Sequence, residues 1–331
     1  MTVAKQSLTV VLMASAIANP CRKCAAQTSP ITVTQQSSEL HAVPPSSALI
    51  APESTDPLLP LLHPIFDFKD SDIKFNLQTL MSILRDSRHE GWVLAAYPDP
   101  KTSRPLIGAG FGLDVVATEH PQRDPLNPRT FIEPSTIQLW QAAGLDAEQL
   151  QVILDRYDRD LKAWSKKKYR KKIRLHSLPP ELTNEEATRL LRISTIQAVH
   201  NARAYCRYFD ELTASQQMAL SQLVFQMGVN LEEFVQFLST INGITSDSDL
   251  SETGAVFETD GDHWKRVQRT LIESEWARRY TSRATSVIAM FDPDYAQDPR
   301  GAERRVQAVL HPPAKHHRRK ARTSQSKRKL T

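Results

Sequence analysis

Glu90 and Asp99 stand nine positions apart, in His89-Glu90-Gly91-Trp92 and Tyr97-Pro98-Asp99. The glycine-rich run Leu106-Ile107-Gly108-Ala109-Gly110-Phe111-Gly112 follows directly. Two carboxylates near one turn are candidates for an acid/base pair. Cleavage of a glycosidic bond needs such a pair: one group protonates the leaving oxygen, and the other activates water or attacks the sugar. Taken singly, Glu90 also reads as a solvated helix-end charge, and Asp99, between two prolines, as a turn residue.

The surrounding pattern says what must hold them. Ile73, Leu77, Leu80 and Leu84 recur at helical spacing and predict a helix that begins near Ser71 and ends near Glu90-Gly91. There the negative end of the helix dipole would push the Glu90 pKa upward. Trp92 to Val116 reads as a small twisted hairpin, with alternate glycines marking a bend or a close approach. His120 to Pro134 reads as a polar, proline-rich loop. Asp146 is the expected N-cap of a helix through Leu150, Leu154, Tyr157, Leu161 and Trp164. The basic run Lys166 to Lys172 reads as a solvated face. Thr183-Asn184-Glu185-Glu186 and Thr213-Ala214-Ser215-Gln216 are capping boxes, the first with Leu182 placed to staple against Ala187. The helix after Thr213 carries Leu220, Leu223, Val224 and Met227, is expected to be central and buried, and stops at Gly228. Further helices are predicted from His263 to Tyr280 and from Arg283 to Phe291. The fold class is α+β, mainly α, with one small β element near the N-terminal end.

These residues together resemble the phage-type lysozymes, the muramidase family of tailed-phage endolysins. The family pattern is Glu-Gly, then Tyr-x-Asp, then Thr-Ile-Gly-x-Gly-His. Later blocks resemble it in order: Leu182 to Leu191, Phe225-Gln226-Met227-Gly228, and Trp276 through Arg283 to Ile288. The resemblance implies a two-lobed, monomeric fold with a β-hairpin in the N-terminal lobe and a helical C-terminal lobe. It implies cleavage of the β-1,4 bond between N-acetylmuramic acid and N-acetylglucosamine in peptidoglycan, with no cofactor and no metal. Glu90 matches the general acid, Asp99 the base or stabiliser, and Arg283 the arginine that pairs with the acid and would lower its pKa. Gly110, Phe225 and Gln226 match cleft positions, and Trp276 a buried partner of that glutamine. The chain departs from the pattern in three places. The family threonine that orients water falls on Leu106 or Pro105, with Thr102 or Ser103 as substitutes. The family histidine is Phe111, and extra residues lie around 118–180. These departures keep two alternatives open: a lytic transglycosylase acting on the same bond, and a non-catalytic peptidoglycan-binding protein on a degenerate lysozyme scaffold.

Composition frames the rest. The net charge is +5, but the eight Lys/Arg from His311 to Thr331 account for it, and without them the remainder stands at −3. That basic tail is expected to be disordered and suits anionic envelope polymers; it lacks aromatics for stacking bases, so no specific nucleic acid is expected. Were the tail nonetheless to carry nucleic-acid binding, that binding would be steeply salt-dependent. Residues 1–26, with the apolar run Leu8 to Ala18, read as a signal peptide, so a secreted or periplasmic location is expected. Residues 27–70 read as a Ser/Thr/Pro-rich linker, 71–295 as the catalytic domain, and 296–310 as a short helix. No membrane span is expected. Cys21-x-x-Cys24 has no second ligand pair for zinc, and Cys206 reads as a buried small residue.

Overall fold

The computed structural model describes residues 59–87, 89–120, 126–175, 177–243 and 261–311. The segment read as signal peptide, the Cys21/Cys24 pair, residues 27–58 of the stretch read as linker, and the basic tail after His311 lie outside them. Helix α1 (Leu59–Phe66) buries Leu62 and Ile65 in the main core. The folded body therefore starts inside the stretch read as linker, ahead of Ser71. Helix α2 is Leu77–Arg85, capped by the Asn76 side chain, which accepts from Thr79 N at 2.9 Å. It ends five residues before Glu90, earlier than expected. Asp86 is extended and its N–H bonds Ile83 O, so the chain turns there.

Strands β1 (Val93–Pro98), β2 (Pro105–Gly108) and β3 (Phe111–Gly112) form an antiparallel sheet in that order. Tyr97 faces Leu106 and Pro98 faces Pro105 across the first pair; Ile107 faces Phe111 across the second. The expected hairpin is thus the first half of a three-stranded sheet. Its second turn needs glycine, since Gly108 and Gly110 lie at φ +63° and +81°. Gly112 answers a steric demand instead: a Cβ there would come within 2.9 Å of Val115. The span read as a loop contains β5 (Ile132–Glu133), which pairs with β4 (Thr118–Glu119) just before it.

Helices complete the fold: α3 (Thr136–Ala142), α4 (Ala147–Ala163), α5 (Lys166–Arg174), α6 (Asn184–Tyr205), α7 (Ala214–Met227), α8 (Val235–Ile241), α9 (Gly261–Ile272), α10 (Glu275–Arg279), α11 (Thr281–Ala289) and α12 (Pro299–Leu310). Their starts follow the local signals. Asp146 caps α4, and Thr183/Glu186 and Thr213/Gln216 form capping boxes for α6 and α7. The single helix expected over 263–280 is two, because Ser274 breaks it and caps α10, accepting from Ala277 N at 3.1 Å. Helix α7 is buried nearly all round. Its buried glutamines are bonded, Gln217 to Phe209 O at 2.9 Å and Gln216 to Phe291 O at 3.3 Å. Helix α5 anchors through Tyr169, fully buried, and leaves Lys167, Arg170 and Lys171 exposed. No helix among the described residues is long and apolar enough to cross a membrane.

Two apolar cores result. The smaller joins Ala96 and Ile107 of the sheet to Trp140, Tyr157 and Tyr169. Residues 118–180, read as extra to the family pattern, therefore supply much of its bulk. The larger gathers α1, α2 and α6 to α12 around Leu80, Leu220, Leu223, Trp264 and Phe291. Helix α6 spans both: Ala187 and Leu190 belong to the smaller core, Leu191, Ile196, Val199 and Ala202 to the larger.

Candidate active site

The turn after α2 sets Glu90. Glu90 N–H donates to Leu84 O at 3.2 Å and Gly91 N–H to Asp86 O at 3.1 Å, folding the chain back over the helix end. Gly91 sits at φ +81°, where a side chain would be strained. Glu90 thus stays against the last turn of α2 through its backbone, although the helix itself has ended. Its chemistry is set from far away in sequence. Arg283, on α11, places Nη1 2.7 Å from Glu90 Oε1, and its Nη2 donates to His89 O. The two side chains are only 4% and 2% exposed, so water screens the pair little. Burial pushes the Glu90 carboxyl above its ordinary value of 4.5, outweighing the charge and hydrogen bond of Arg283, which pull it down. The upward drift expected from a helix end is present, but desolvation causes it. Tyr280 adds its ring 5.9 Å from the Arg283 guanidinium.

Asp99 is held by its own turn. Its Oδ1 accepts from Lys101 N at 2.9 Å, Thr102 N at 2.6 Å and Thr102 Oγ1 at 2.8 Å. Asp99 N–H donates to Arg104 O at 2.8 Å, carrying the β1–β2 ladder one step past the strand end. Oδ2 is buried and has no hydrogen-bond partner among the described residues. Of the two expected substitutes, Thr102 has its hydroxyl bonded within the turn. The Thr102 hydroxyl is committed to Asp99 and also accepts from Arg104 N, so it orients the carboxylate rather than a water. Ser103, at φ +65°, uses its carbonyl to accept from Tyr157 OH at 2.6 Å, which ties the turn to α4. Leu106 is buried and offers no polar group.

Of the remaining expected residues, Phe225 and Gln226 lie on α7, Trp276 on α10 and Gly110 in the turn between β2 and β3. Phe225 lines a crevice with Gly108, Ala109 and Phe111 of the sheet and with Leu190 and Ser194 of α6. Gln226 is buried and its Oε1 accepts from Trp276 Nε1 at 3.2 Å, the pairing the resemblance implied. Gly110 sits in the turn between the lining residues Ala109 and Phe111. The crevice holds about 10 Å³, so it is closed. A larger cavity of about 470 Å³ opens at the C-terminal end of α6, bordered by Phe68, Arg129, His200, Arg203 and Asp210. None of Glu90, Asp99 or Arg283 borders it, and Asp210 already pairs both arginines. The large cavity thus lies away from the buried Glu90–Arg283 pair.

One residue escaped the sequence reading. Tyr97 is buried, and its hydroxyl is pushed well above the ordinary phenol range by desolvation, then by the nearby Glu90 and Asp99 carboxylates. The signal is closeness in sequence, since Tyr97 lies in β1 two residues before Asp99. Cys206 is fully buried, and burial pushes its thiol up to about 12, which makes it inert. No cluster of three or more metal-ligating side chains occurs among the described residues. No family model matches the chain, and no curated protein matches it.

Proposed function

We propose that the chain is a peptidoglycan-cleaving enzyme of the muramidase type, on a two-lobed lysozyme-like fold, acting on the β-1,4 bond between N-acetylmuramic acid and N-acetylglucosamine. The observation that carries this reading is Glu90, dry, raised in proton affinity and bonded to Arg283 at 2.7 Å. A general acid must hold its proton until the leaving oxygen needs it. Burial supplies that hold. Once the proton has gone, Arg283 stabilises the carboxylate left behind. Asp99, with Oδ1 fixed by three donors and Oδ2 free, serves as base or as stabiliser of the oxocarbenium-like transition state.

A sugar needs a site of roughly 300 Å³ or more, far above the crevice volume. Substrate entry on this reading requires the two cores to part about α6, whose halves belong to one core each. Peptidoglycan lies outside the cytoplasm, in keeping with the apolar run Leu8 to Ala18, and the basic tail would hold the enzyme near anionic envelope polymers. One observation favours a second reading: Leu106, directly opposite Tyr97, is apolar and buried. A site poor in water-holding groups suits a lytic transglycosylase, in which a substrate hydroxyl replaces water.

The test is incubation of the protein with purified sacculi and mass spectrometry of what is released. Soluble disaccharide-peptide fragments are expected. Sacculi that bind the protein and stay intact would overturn catalysis and leave the glycan-binding alternative.

A further inference from the structure

Hydrolysis at this site requires a water beside the second carboxylate, and the structure restricts which side chains can hold it. Asp99 Oδ2 is one acceptor, buried and unpartnered among the described residues. The Thr102 hydroxyl, one of the two expected substitutes, is spent. Thr102 Oγ1 donates to Asp99 Oδ1, and Ser103 sits in the turn that binds Tyr157. Tyr97 is different. Ala96 and Ile107 pack into the smaller core, whereas Tyr97 and its cross-strand partner Leu106 belong to neither core. Successive strand residues face opposite ways, so Tyr97 and Leu106 lie on the sheet face turned away from the smaller core. Asp99 lies one residue past the end of β1, where its N–H extends the ladder to Arg104 O. No hydrogen bond to the Tyr97 hydroxyl occurs among the described residues, and both Glu90 and Asp99 are within its electrostatic reach.

We propose that the Tyr97 hydroxyl and Asp99 Oδ2 together hold the attacking water, which makes Tyr97 a positioning residue for the hydrolytic step. This rests on the muramidase reading and deepens it. The water donates one hydrogen to Asp99 Oδ2 and accepts one from the Tyr97 O–H, which leaves its second lone pair for the anomeric carbon. As the new carbon–oxygen bond forms, the glycosidic carbon–oxygen bond breaks. The Glu90 proton goes to the leaving oxygen and a water proton goes to Asp99; both carboxyls reset by exchange with solvent. Burial and the two flanking carboxylates keep the phenol protonated, hence a donor, at every pH at which the enzyme would work.

The experiment is digestion of sacculi by the full chain, wild type beside Tyr97→Phe, scoring kcat, KM and the ratio of reducing to 1,6-anhydro ends. Tyr97→Phe keeps the ring and its packing. Loss of one transition-state hydrogen bond should lower kcat for hydrolysis about tenfold with KM unchanged, and should shift the products toward anhydro ends. Adding Leu106→Thr to Tyr97→Phe returns a hydroxyl from the directly opposite position, about 5 Å away between Cβ atoms, and should recover part of the reducing-end product. Equal kcat and equal product ratio in wild type and Tyr97→Phe overturns the water-holding role while the muramidase reading stands. Anhydro ends alone from the wild type overturn it too, since no water is then used. Wild-type protein that releases nothing overturns both.

Discussion

The two carboxylates of the site are held in opposite ways. Asp99 is fixed within its own turn by Lys101, Thr102 and Arg104, all within five residues. Glu90 is fixed by Arg283, 193 residues away on another element. One is a local structure that forms with its turn. The other exists only when the sheet side and the helical side of the molecule have come together. The difference teaches where fragility lies: the Asp99 geometry should survive most distant changes, whereas the proton affinity of Glu90 is a property of the assembled fold.

The largest expected effect separates the two at the level of chemistry. Glu90→Gln keeps an acceptor for Arg283 but removes the transferable proton, so muropeptide release should fall on the order of 10²- to 10⁴-fold. Circular dichroism of the same sample should show the native fold. A variant with wild-type turnover would falsify the acid role.

Next comes Arg283→Met, which leaves the Glu90 carboxylate buried without its cation. Breaking one side of a buried pair costs about 3 kcal/mol or more, measurable by urea denaturation at neutral pH. The sign with pH follows from the direction of the shift. The folded pKa of Glu90 lies above its unfolded value, so the folded state binds the extra proton, and stability falls as pH rises from about the ordinary carboxyl value through the folded one. Arg283 lowers that pKa, so its removal raises it further. The stability gap between Arg283→Met and wild type should therefore narrow as pH falls. A gap independent of pH contradicts the coupling.

The smallest effect belongs to the local half. Thr102→Val removes one of three donors to Asp99 Oδ1 and leaves two backbone donors in place, so stability should drop by about 1 kcal/mol. Thermal melts check this. A collapse of the fold on this change would mean that the turn is not self-sufficient.

The same contrast explains what could be read from the chain. Helix starts at Asp146, Thr183 and Thr213 were legible because a cap and its partner lie three residues apart or less. The end of α2 and the break at Ser274 were not, since apolar periodicity runs on through both. Leu62 and Ile65 were hidden in a stretch whose Ser, Thr and Pro content reads as linker, although both are core residues. The contribution of residues 118–180 to the smaller core depends on Trp140, Tyr157 and Tyr169 meeting the sheet, a tertiary event. At the site, Asp99 and its turn were visible locally, whereas Arg283 was reached only through the resemblance. Tyr97 was in plain view beside Asp99. Its place needed the register with Leu106 and the knowledge that Ala96, not Tyr97, faces the smaller core.

The most direct measurement is the pH dependence of muropeptide release by wild type beside Arg283→Met. A buried acid that must be protonated gives an alkaline limb above the ordinary carboxylate value of 4.5. Loss of Arg283 should move that limb to still higher pH. A limb that stays where it was when Arg283 is removed, or sacculi left whole by the wild type at every pH, would contradict the account.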